Sequence, residues 1–127
     1  MDTLFRPVEQ VNPSNSSAPK MYYARIVKSK EANIRDLVAD ISHSSSVNAS
    51  DVMAVLESFI ELLPRYLGSG YRVKLGDFGS FRLTASSNGE NTAEEVTSRS
   101  IRALNIRFSP GAVLKNRLKQ IRLRKAE

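Results

Sequence analysis

The tripeptide Gly68-Ser69-Gly70 divides two hydrophobic patterns that no single kind of secondary structure can satisfy. Before it, Val52, Val55, Leu56, Phe59, Ile60, Leu63, Tyr66 and Leu67 recur every three or four positions, which is the spacing of one helix face. After it, Val73 and Leu75 alternate with Arg72 and Lys74, which is the period of a half-buried strand. The glycines end the helix and permit the turn. A mixed α+β chain is therefore predicted.

The remaining elements follow from similar signals. Asn33 precedes Ile34, Leu37, Val38 and Ile41, with Asp36 placed to complete a capping box. The Asn48/Asp51 pair repeats this arrangement ahead of the longer helix, in which Pro64 should kink the helix or tighten its last turn. A turn at Gly76-Asp77 leads to a second strand carrying Phe78, Ser80, Phe81 and Leu83, which completes a β-hairpin. Residues 84–100 are polar and contain Asn88-Gly89, so they read as an extended loop or protruding ribbon. Leu104, Ile106 and Phe108 mark another strand. Ser109-Pro110 reads as N-cap and first residue of a final helix bearing Val113, Leu114, Leu118 and Ile121. Upstream, Met21–Val27 suits a short strand. Residues 1–20, rich in Pro, Asn and Ser, read as a flexible arm.

Charge narrows the function. Of 127 residues, 19 are Lys or Arg and 13 Asp or Glu, a net charge of +6. Residues 1–70 carry −1 and residues 71–127 carry +7, so the excess is C-terminal and suits a polyanion or a solvated tail. Cysteine is absent, which excludes disulfides, thiolate metal sites and cysteine nucleophiles. The lone His43 lacks the company a metal or catalytic site needs. Asp77-Phe78-Gly79 spells a kinase tripeptide, but the other kinase parts are missing. No enzyme, no cofactor and no small-molecule substrate is expected. With no leader pattern and no long apolar run, a soluble cytoplasmic chain without membrane partners is expected.

Two segments then carry a family resemblance. Val73-Lys-Leu-Gly-Asp-Phe-Gly-Ser-Phe81 is similar to the V-x-L-x-G-F-G-[TS]-F motif, and Phe108-Ser-Pro-Gly-Ala-Val-Leu-Lys115 to the F-x-P-G-x-x-L-K motif, of the HU/IHF bacterial nucleoid DNA-binding proteins. Two helices precede the first motif and one follows the second, in the family's order. The resemblance covers roughly Ile34 to Leu118. It implies an intertwined homodimer with helices below and two β-ribbon arms embracing duplex DNA. The expected division is an arm over 1–20, an HU-like domain with an added N-terminal strand over 21–122, and a basic tail over 123–127.

The arm departs from that family. Its usual R-x-G-R-N-P tip, with a proline that wedges between base steps, has no counterpart here. Residues 84–100 hold no proline, one basic residue (Arg99) and three acids (Glu90, Glu94, Glu95). Ala112 stands where a basic residue usually follows the Pro-Gly. The resemblance carries Arg82 and Lys115 over as DNA contacts. Position and charge add Arg99, Arg102 and Arg107 on the ribbon, and Lys119 in the C-terminal run. The resulting expectation is an architectural protein of the nucleoid that binds duplex DNA through phosphates with little sequence preference. The alternative is a dimeric scaffold or regulatory interaction protein that keeps the HU body without DNA binding.

Overall fold

Both helix-leading asparagines act as caps in the computed structural model, which describes residues 2–11, 13–15, 17–27 and 30–126. At the head of α1 (Ile34–His43), Asn33 Oδ1 accepts from the Asp36 amide and Asp36 Oδ2 accepts from the Asn33 amide, each at 3.0 Å. At α2 (Ala49–Gly68), Asn48 Oδ1 accepts from the Asp51 amide at 2.9 Å, but Asp51 Oδ2 takes the Asn48 side-chain amide at 3.1 Å instead of the backbone. Each cap contributes about 1 kcal/mol.

α2 continues through Pro64 and tightens at its end, where the Ser69 amide reaches the Tyr66 carbonyl at 3.2 Å as well as that of Arg65 at 3.1 Å. Gly70, at φ +90°, then turns the chain: its amide donates to Leu67 and the Tyr71 amide donates back to Tyr66. This is a Schellman ending, and the Tyr66 and Tyr71 rings, 5.7 Å apart, supply its apolar contact.

The strands β3 (Val73–Lys74), β4 (Gly79–Ser87) and β5 (Ile101–Pro110) form an antiparallel sheet in that order. Its register pairs Phe81 with Phe108, Leu83 with Ile106 and Ala85 with Leu104, which puts these apolar side chains on one face. That face meets α2, where the Phe59 and Phe81 rings lie 6.1 Å apart. Phe78 and Phe108 extend the cluster, with Phe108 5.1 Å from Phe78 and 4.9 Å from Phe81. Among the described residues, Val38, Val52 and Leu67 are the buried apolar side chains.

Three expectations are corrected. Ser109-Pro110 does not start the last helix: it pairs with Ser80 and Gly79 at the end of β5, and α3 spans Ala112–Lys119. β5 is an edge strand, where proline's missing N–H is tolerated. Gly111 takes over the junction, donating to Phe78 and accepting from Lys115, both at 2.9 Å. Ile121 consequently falls outside the helix.

Strands form within the expected flexible arm, over Asp2–Gln10, and within the expected basic tail. β1 (Asp2–Gln10) pairs antiparallel with β2 (Met21–Ile26) and parallel with β6 (Arg122–Lys125), giving a second sheet in the order β2-β1-β6. β6 pairs only with residues 2–5 of β1, so Pro7 sits where β1 is bonded on one side alone. Met1, Asn12, Ser16 and Glu127 of these two stretches lie outside the described residues. The expected domain over 21–122 is also redrawn, because the chain divides into residues 32–116 and a unit of residues 1–31 with 117–127.

The accessible surface is 11,096 Å². A compact chain of this mass exposes about 6,700 Å², and two separately folded units of these sizes about 8,000 Å². Leu83, Leu104, Ile106 and Phe108 on the apolar ribbon face are each 40% or more exposed. The apolar surface of one chain therefore exceeds what that chain covers.

Candidate nucleic-acid interface

The ribbon has a second face with the opposite character. Arg82 pairs directly with Arg107, between Ser80/Ser109 on one side and Thr84/Asn105 on the other. Residues opposite one another project to the same side, so this face is polar and cationic, while Phe81, Leu83 and Phe108 face the other way. Arg82, Thr84, Ser86, Asn105 and Arg107 line an open groove along it, with Ala85, Ile106 and Phe108 completing the lining. β3 brings Lys74 onto the same face, opposite Ser80. The alternation of Lys74 with Val73 and Leu75 is the signal that could have placed it there.

The remaining expected contacts are less convergent. Arg102 is the extra residue of a bulge, since Ser86 pairs with Ala103 and Ser87 with Ile101; a bulge locally re-aims its side chain. Arg99 lies in a 3₁₀ turn (Ser98–Ser100) within the tip. Lys115 is on α3, and Lys119, at the end of α3, falls in the other unit. All six are exposed, and none joins an ion pair among the described residues. Their charges remain available for a polyanion.

The tip is folded back rather than extended as a bare ribbon. Ser100, 3% exposed, donates its hydroxyl to Glu90 Oε1 at 3.1 Å and accepts the Thr97 amide, while its carbonyl takes the Asn88 amide at 2.7 Å and the Ser87 hydroxyl at 3.3 Å. This network closes the ribbon just beyond the bulge. It leaves Glu94 and Glu95 exposed in a 3₁₀ turn (Ala93–Glu95), so the tip repels phosphates.

Residues 1–125 match the family described as an HU domain fused to wHTH, Ig, or glycine-rich motif, abbreviated HU-HIG. The chain belongs to the HU-HIG family. The match extends beyond the HU-like motifs to both strands of the N-terminal hairpin and to β6. A curated relative, integration host factor subunit alpha of Actinobacillus succinogenes, is 30% identical over 89 residues, which is 67% of this chain and 89% of that one. Two solved structures share the fold. One, from Bacteroides vulgatus ATCC 8482 and provisionally described as a bacterial DNA binding protein, superimposes with a TM-score of 0.69 at 10% identity over 98% of this chain. This HU-HIG chain spans 48% of the length of that protein. The other, a point mutant of HU from Thermotoga maritima, gives 0.50 at 21% identity over 68% of this chain and 99% of that one. The HU/IHF resemblance read from the two motifs is thus borne out, and the superposition on the Bacteroides structure spans the added strands as well.

Among the described residues no helix is long and apolar enough to cross a membrane.

Proposed function

We propose that this HU-HIG protein is a dimeric architectural DNA-binding protein of the nucleoid that holds duplex DNA mainly by its phosphates. The directly opposed Arg82/Arg107 pair, on the ribbon face turned away from α2, carries this reading. Two like charges set opposite one another weaken a sheet slightly, and a shared anion removes that cost. Lys74 and Arg102 extend the cationic track. Displacement of counterions by the arginines supplies the affinity, and the acidic, proline-free tip removes the wedge that would kink the duplex.

Substituting Arg82→Gln and Arg107→Gln together is expected to weaken binding of a random-sequence duplex at least tenfold at about 100 mM salt. The slope of log affinity against log salt should become shallower by about 2 for each protomer in contact. Both side chains are exposed and unpaired, so circular dichroism and thermal stability should change little. The acidic tip favours a second reading, a scaffold without DNA binding. A flat duplex titration of the unmodified protein would support that reading.

A further inference from the structure

The register of the added sheet gathers four arginines on one face. Arg6 of β1 lies directly opposite Arg25 of β2, and Leu4 and Asp2 of the same β1 face lie opposite Arg124 and Arg122 of β6. Even-numbered positions of β1 share a side, so all four guanidinium groups project together. The other side carries Phe5, Pro7, Ala24, Ile26 and Leu123, with Lys125 at its edge. One surface of the sheet is mainly apolar, and the other is cationic with Leu4, Val8 and Met21 set among its arginines.

Folding alone gives no reason for this arrangement. A like-charge pair directly opposite, as at Arg6/Arg25, disfavours strand pairing. Asp2 is the one acid on this face, and among the described residues it makes no ion pair with Arg122. Glu9 is on the other face and bonds Lys20 at 3.5 Å. All four arginines are exposed, with no partner among the described residues. Arg122 and Arg124, two positions apart on a strand, stand about 6.6 Å apart along it. A planar guanidinium fork suits bidentate phosphate binding. Tyr23, opposite Val8, shares this face and is 49% exposed, whereas Tyr22 projects to the apolar side. Tyr23 can therefore lie against a sugar or base edge beside the arginines.

We infer that the cationic face of the β2-β1-β6 sheet is a second contact surface for the phosphate backbone of duplex DNA, separate from the ribbon groove. The inference rests on the DNA-binding reading above but uses none of its residues. A regularly charged polymer matches a regular array of like charges better than a folded acidic protein does. The occupant assigned is therefore the duplex.

The test uses the full chain and a fluorescent random-sequence duplex titrated at several salt concentrations. Replacing Arg6, Arg25, Arg122 and Arg124 by Gln should weaken binding at least tenfold at about 100 mM salt and make the salt slope shallower by about 3.6. Arg6→Glu guards against a folding artefact, because an acid opposite Arg25 favours the strand pair while removing charge from the face. It should reduce affinity without reducing thermal stability. The Arg82→Gln/Arg107→Gln protein should retain residual binding whose slope comes from the sheet. Unchanged affinity and slope in the quadruple variant, with loss in the ribbon variant, would overturn the inference and leave the ribbon reading intact. Loss in the quadruple variant alone would uphold the inference and overturn the ribbon reading. Tighter binding of polyglutamate than of duplex, abolished by the same four substitutions, would assign the face to an acidic protein and overturn it as well.

Discussion

Gly79→Ala should lower stability by about 3 kcal/mol or more, a large part of what a domain of this size possesses. Gly79 has φ +145°, a region that side-chain-bearing residues scarcely enter. An added Cβ would also collide with the Ser109 carbonyl oxygen and stand 2.8 and 2.9 Å from the Phe108 ring. Neither neighbour can yield. Ser109 is held in register opposite Ser80, and the Phe108 ring is held between those of Phe78 and Phe81. Gly89→Ala provides the control, because nothing lies within 4 Å of its added Cβ and its φ is unexceptional. That change should stay within about 0.5 kcal/mol. Urea denaturation of both variants checks the pair; equal midpoints would contradict the packing described at the turn. The same crossing explains why glycine also stands at 111, where a Cβ would run into the Asp77 carbonyl.

The second large effect concerns association. If a partner protomer covers the apolar ribbon face, unfolding midpoints should rise with protein concentration. Phe108→Ala should then cost about 3–5 kcal/mol and shift the sedimenting mass toward the monomer. Phe108 is 40% exposed in one chain, so a self-sufficient monomer predicts a smaller loss and no concentration dependence. The surplus of accessible surface and the exposure of Leu104 and Ile106 beside Phe108 favour the larger effect.

The helices and the hairpin were legible in the sequence because their signals are local. Asn33 and Asn48 find their hydrogen-bond partners within three residues, and the Gly70 turn closes within five. β1 and β6 were not legible, because their pairing joins opposite ends of the chain. β1 gave no strict alternation, with Leu4-Phe5 and Pro7-Val8 adjacent, and Arg122-Leu-Arg-Lys125 holds a single apolar residue. Ser109-Pro110 misled for a related reason. The dipeptide is a sound helix-start signal, but tertiary pairing with Gly79 and Ser80 holds it in β5. For the candidate interface, residue type and position singled out Arg82 and Arg107, but only the register sets them opposite one another. Arg6 and Arg25 joined a cationic face solely through strand pairing.

Counterion release at the cationic strand faces is the proposed basis of duplex DNA binding by this chain. Duplex affinity measured by fluorescence anisotropy between about 50 and 300 mM salt tests it most directly. The prediction is a linear fall of log affinity with log salt at a slope of about −4 or steeper, with little change between sequences of different composition. No binding at about 50 mM salt, or a slope near zero, would contradict it.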